Sequence, residues 1–123
     1  MNRFDKGMAK LNELNSGAGE AMINRFQDIS PDLAKYAIEF GFGDVFSRPG
    51  LDLKSREIAN IAALTALGYA LPQLKVHIKY ALNVGCTKEE VKEIIIQMSA
   101  YAGFPAAINA MLAAKEVFDE LKA

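Results

Sequence analysis

Apolar residues recur along this chain at the three- and four-residue spacing of helix faces, and no stretch shows the strict alternation of a half-buried strand. Met8, Leu11 and Leu14 outline a first helix, ending near the small residues Ser16-Gly17-Ala18-Gly19, and Met22, Ile23 and Phe26 a second. Ser30-Pro31 is a start signal: the serine hydroxyl accepts from an unpaired backbone N–H, and proline at the first helical position gives up no needed donor. The helix it opens carries Leu33, Tyr36, Ala37 and Phe40 and is expected to stop at Gly41 and Gly43. Asp44 to Gly50 reads as a connection, because Pro49-Gly50 punctuates and Pro49 biases Arg48 away from helix.

From Asp52, read as an N-cap, the next helix runs through Ile58, Ile61, Ala62 and Thr65 to Gly68. Pro72 opens another, carrying Leu74, His77, Ile78, Ala81 and Leu82 and closed by Gly85. Thr87-Lys88-Glu89-Glu90 has the capping-box pattern, and Val91, Ile94, Ile95, Met98 and Ala102 continue as one apolar stripe. Gly103-Phe104-Pro105 breaks that helix and starts the last, through Ile108, Met111, Leu112 and Leu121. The prediction is an all-α chain of six to seven helices forming a single domain over residues 1–123, with no linker or repeat.

Some faces carry more apolar residues than one small core needs. Ile94-Ile95-Ile96 is apolar on more than one side, and Ile58 to Leu67 is nearly uncharged. Either a well-wrapped central helix or a face covered by another subunit accounts for this, and homo-oligomerisation is the expectation. At 123 residues the chain needs no metal or disulfide to complete a core. Fourteen basic against fifteen acidic residues give a net charge of -1, which argues against nucleic acid as a partner. The opening Met1-Asn2-Arg3-Phe4-Asp5-Lys6 lacks the apolar core of a signal peptide, and no run reaches membrane-spanning length. With Cys86 the single cysteine, a cytoplasmic protein with no membrane partner is expected.

Candidate chemistry concentrates in one ordered series. It begins with Arg48-Pro49-Gly50-Leu51, Arg56-Glu57 and His77, followed by Ala81-Leu82-Asn83-Val84-Gly85. Thr87, Glu90 and Glu93 come next, then Tyr101-Ala102-Gly103-Phe104-Pro105-Ala106-Ala107. Taken together and in order, these resemble the carboxymuconolactone decarboxylase family, in particular its short single-domain decarboxylases, from about Ile38 to Phe118.

The resemblance implies an all-α fold with a central antiparallel helical hairpin, assembled as a homotrimer or homohexamer. It also implies decarboxylation of 4-carboxymuconolactone in aromatic catabolism, without a cofactor. A sister branch, the alkyl hydroperoxidase D-type proteins, reduces peroxides through a Cys-x-x-Cys-x-x-x-His motif. Aligned on His77, its two cysteine positions fall here on Ala70 and Gln73, which form no thiolate.

Decarboxylation leaves an electron pair that spreads onto an oxygen. A site for it needs cations for the substrate carboxylates, donors for the oxyanion and an acid to reprotonate carbon. His77, the sole histidine, lies among Leu74, Ile78 and Ala81. Alone it would suit a hydrogen-bonded core or interface role. Its coincidence with the motif histidine makes it the candidate proton donor, since an imidazole exchanges its proton near neutral pH.

Glu57 is the second catalytic candidate. The resemblance links it to the peroxidase branch, where a glutamate near this point assists the relay; decarboxylases often carry a small residue there. A solvated glutamate favoured by the helix dipole is the alternative. Arg48 and Arg56 are candidate substrate-binding cations, because guanidinium forks match carboxylates. The alternatives are a loop charge for Arg48 and an ion pair with Asp52 for Arg56. Tyr101 is a further substrate-binding candidate beside Phe104, Pro105 and Asn109, which could all simply form core and helix-start structure. One histidine and one cysteine are too few for a conventional zinc site, so no metal is expected. The competing functions are a peroxiredoxin-like oxidoreductase using Cys86 alone and a noncatalytic oligomeric binding protein.

Overall fold

The structure, a computed structural model, describes residues 1–122. Seven α-helices and one π-helical segment make up its regular structure, and there is no strand among the described residues. The chain divides into two compact units, Met1–Leu53 and the part from Lys54 onward.

In the first unit α1 (Arg3–Leu14) is capped by Asn2, whose side chain accepts from the Asp5 N–H. Gly17 takes the left-handed conformation that leads into α2 (Ala18–Phe26). Ser30 caps α3 (Pro31–Tyr36) by accepting from the Leu33 N–H, with Pro31 in the first turn as expected.

The helix does not stop at Gly41 and Gly43. It widens into a π-helix over Ala37–Val45, with the Phe46 N–H reaching back to the Gly41 carbonyl at 2.9 Å. Tertiary packing explains the difference. A Cβ on Gly43 would strike the Arg3 carbonyl, and one on Gly7 would strike the Ile38 carbonyl. Both glycines therefore let α1 and the π-helix touch backbone to backbone, burying Leu11, Leu14, Ile38 and Phe42. Burying a leucine or isoleucine is worth about 1.5–3 kcal/mol, enough to carry a helix past a glycine that costs about 1 kcal/mol. A bidentate ion pair between Arg3 and Asp44, closest at 2.8 Å, joins the same two elements.

The second unit is built from α4 (Leu53–Leu67), α5 (Leu71–Asn83), α6 (Lys88–Ala102) and α7 (Phe104–Lys122). Thr87 and Glu90 form the predicted reciprocal capping box at the start of α6. Gly103, at φ 90°, turns the chain sharply into α7. Alanines 107, 110, 113 and 114 face inward on α7, and such small side chains let it pack closely on both α5 and α6. The core beneath includes Leu74, Ile78, Ala81, Val91, Ile95 and Val117.

On α4 the buried positions are Glu57, Ile61 and Thr65, each a helical turn apart. A polar side chain thus stands at either end of an inward-facing line. Large apolar side chains also remain outside the core, among them Ile96, Tyr101, Phe104, Ile108 and Leu112. Tyr101, at 81% exposed, and Phe104 are not core residues. The alternative in which they form core does not hold for these two, because the α6–α7 packing turns alanines inward. No described helix is long and apolar enough to cross a membrane.

Candidate active site

Two helices of the second unit each contribute a pair of polar residues one turn apart. Residues three apart lie on the same helix face, so α4 presents Glu57 and Asn60 together, and α5 presents His77 and Tyr80. The two pairs meet. His77 Nδ1 lies 2.7 Å from Glu57 Oε1 and 3.3 Å from Asn60 Nδ2. The Tyr80 ring stands nearly perpendicular to the imidazole, at 5.3 Å between centroids and 74° between planes.

Burial makes this contact more than a surface ion pair. The Glu57 side chain is 0% exposed and that of His77 17% exposed. Glu57 Oε2 is buried with no hydrogen-bond partner among the described residues, so the contact through Oε1 is the interaction that offsets the carboxyl's desolvation. The solvated glutamate that a first-turn position suggested is not what the fold produces.

Tyr80 is 7% exposed. Burial pushes its phenol above the usual range, and the charge of Glu57 adds to the shift. Tyr80 therefore stays protonated at neutral pH. A carboxyl hydrogen-bonded to one imidazole nitrogen can hold a hydrogen, orient the ring and compensate charge that develops on it.

Of the sequence candidates, the fold brings His77 and Glu57 together. Arg56 precedes Glu57 on α4 and is half-buried, while Arg48 is an exposed residue of the first unit. Tyr101 lies in the last turn of α6 and, among the described residues, does not join the Glu57–His77 group. Asn60 and Tyr80 were not singled out from the sequence. Their only signal there is a polar or aromatic residue three places after each catalytic candidate. A separate cleft of about 190 Å³ is lined by Leu71, Lys75, Asn109, Leu112, Ala113 and Glu116, and none of the four site residues lines it.

Cys86 is buried. Burial pushes its thiol above the usual range and Glu90 reinforces this, while Lys54 pulls the other way. Thiolate is the reactive form, so the setting suppresses the nucleophile that a one-cysteine peroxidase would use. No group of three or more potential metal-binding side chains occurs among the described residues.

Comparison with known proteins supplies the context for this geometry. Residues 31–116 match the carboxymuconolactone decarboxylase family. The chain belongs to that family. It is 38% identical to a 4-carboxymuconolactone decarboxylase of Acinetobacter baylyi, over 97% of this chain and 89% of the relative. A 15.0 kDa protein of Paracoccus denitrificans is 39% identical over 80% of this chain and 74% of its own length. A nitrosuccinic acid decarboxylase of Metarhizium robertsii is 30% identical over 68% of this chain and 57% of its own. Counted back from His77, the two cysteine positions of a Cys-x-x-Cys-x-x-x-His motif are filled in this family member by Ala70 and Gln73.

Proposed function

We propose that this protein is a carboxy-lyase that removes carbon dioxide from a small organic acid, with His77 and Glu57 as its acid. The observation that carries the reading is the 2.7 Å contact between His77 Nδ1 and a wholly buried Glu57, in a chain whose relatives include two decarboxylases. Loaded for the reaction, the pair holds one hydrogen at Nε2 and one in the Glu57 contact. The substrate's C–C bond breaks, carbon dioxide leaves, and the electron pair passes into an adjacent electron-withdrawing group. The Nε2 hydrogen then goes to carbon. No cofactor enters this sequence.

Tyr80 is a hydrogen-bond donor beside the same ring, and a donor aimed at a developing oxyanion lowers the barrier. Arg56 is the cation of the same helix turn suited to hold a carboxylate. Arg48 and Tyr101 remain substrate-binding candidates on the sequence series alone. A carboxylated lactone of the 4-carboxymuconolactone type is the first substrate to test, with nitrosuccinic acid the second.

In the same reading α4 and α5, joined by the short turn at residues 68–70, form the family's helical hairpin. A cytoplasmic homotrimer or homohexamer covers the exposed row Tyr101, Phe104, Ile108 and Leu112. A solution mass near the 13.4 kDa of one chain would refute the assembly.

The deciding experiment is carbon dioxide release from each acid by wild type and by His77→Ala. General acid catalysis contributes about 10²–10⁴-fold, so the variant should lose at least a hundredfold in kcat. A folded His77→Ala protein with full turnover overturns the assignment. The oxidoreductase alternative is not favoured, because Cys86 is buried and its thiol held in the neutral form.

A further inference from the structure

Nδ1 of His77 is approached by two groups with opposite requirements. A carboxylate oxygen of Glu57 at 2.7 Å accepts a hydrogen from it, whereas the Asn60 amide N–H at 3.3 Å needs a bare lone pair there. A ring nitrogen has one in-plane position, holding either a hydrogen or a lone pair. The two neighbours therefore compete over where one hydrogen sits.

When the pair holds two hydrogens, they can be arranged in two ways. In one, Nδ1 carries the hydrogen and the pair is an imidazolium facing a carboxylate. In the other, Glu57 Oε1 carries it and both residues are neutral. Nε2 carries a hydrogen in both. The Asn60 N–H opposes the first arrangement, and in the second it shares, as the longer arm at 3.3 Å, the lone pair that accepts the Glu57 hydrogen at 2.7 Å. Burial acts in the same direction: Glu57 is wholly buried and its Oε2 has no hydrogen-bond partner among the described residues. A neutral carboxyl tolerates that setting far better than a carboxylate does.

We infer that Asn60 is a positioning residue that holds the hydrogen of the Glu57–His77 contact on Glu57, keeping the loaded pair neutral until the substrate reacts. The step then runs as a relay. Nε2–H passes to the carbon that has lost carbon dioxide, and as it leaves, the Oε1 hydrogen of Glu57 crosses to Nδ1. The products are the protonated carbon, the Nδ1–H form of neutral His77 and a Glu57 carboxylate. One proton from water reloads the pair. Asn60 acts through His77 Nδ1 and not on the substrate, and the Tyr80 ring stands edge-on to the imidazole at 5.3 Å.

This inference rests on the proposed role of the pair, yet its test is independent of turnover. His77 is the sole histidine, so full-length protein labelled with ¹⁵N-histidine gives the two nitrogen signals of one ring. Asn60→Leu removes the amide, and Asn60→Asp keeps its size but replaces the donor with an acceptor. In the pair that holds two hydrogens, wild type is expected to show a bare Nδ1 and an N–H at Nε2. Both variants should move Nδ1 toward the N–H signal, Asp the further, while far-UV circular dichroism stays unchanged. kcat should fall about tenfold in Asn60→Leu, with KM altered less than twofold.

An Nδ1 signal identical in wild type and Asn60→Asp overturns the inference. So does a wild-type Nδ1 that already carries its hydrogen in the protonated pair. If the signals shift as expected but His77→Ala retains full turnover, the effect of Asn60 stands and the catalytic role of the pair falls.

Discussion

Removing the imidazole tests the physical basis of the site directly. In His77→Ala the Glu57 carboxyl keeps its place at 0% exposure but loses the contact through Oε1, and Oε2 has no partner already. Breaking a buried pair from one side costs about 3–5 kcal/mol. The His77 side chain is 17% exposed, so water reaches its former place and the low end, about 3 kcal/mol, applies. For a chain of this size that corresponds to a fall in Tm of roughly 10 °C. The assay is urea unfolding followed by far-UV circular dichroism, on His77→Ala, Glu57→Leu and the double variant. Replacing the stranded carboxyl with leucine removes the desolvation penalty, so the double variant should recover at least half of the loss. The three free energies then give a coupling of about 1–3 kcal/mol. A His77→Ala loss below about 1 kcal/mol, or strictly additive single effects, would show that the contact does not offset Glu57's burial.

Other expectations follow from local geometry. Gly7→Ala should cost about 1–3 kcal/mol, because the added methyl meets the Ile38 backbone, whereas Gly41→Ala, with open space around it, should cost nothing measurable by thermal melts. Cys86→Ser should leave decarboxylation within about twofold, and wild-type Cys86 should react with a disulfide reagent more slowly than a free thiol, since burial raises its pKa. The Thr87 backbone N–H and then Lys54 hold the Glu90 carboxyl below the usual range. Its contribution to stability is therefore present above the unfolded value of about 4.3 and fades as pH falls through the lower folded value. Glu90→Gln should flatten that part of an acid-unfolding curve. Arg56→Ala should raise KM for a carboxylate substrate about tenfold or more if Arg56 holds it, and an unchanged KM removes it from that role.

The helix boundaries that local chemistry sets were legible in the residues themselves. Ser30-Pro31, the Thr87–Glu90 capping box and the turn at Gly103 all act within four positions of the chain, and each appears where its pattern predicts. The all-helical class followed from spacing, and the missing thiol pair from Ala70 and Gln73.

What the residue pattern left undecided is what depends on packing between elements. Gly41 and Gly43 are helix breakers by propensity, but contact with α1 carries the backbone through them as a π-helix. Glu57 could be solvated or buried by its position alone; the packing of α4 and α5 buries it and places an imidazole twenty residues later in the chain at 2.7 Å. Asn60 and Tyr80 gain their meaning in the same way, and Tyr101 loses its core role because α7 turns alanines toward its neighbours. Capping and periodicity are short-range and can be read along one strand of text. The hydrogen-bonded group on two helices exists only once their faces are pressed together, because desolvation, which gives that contact its strength, belongs to the packed interior.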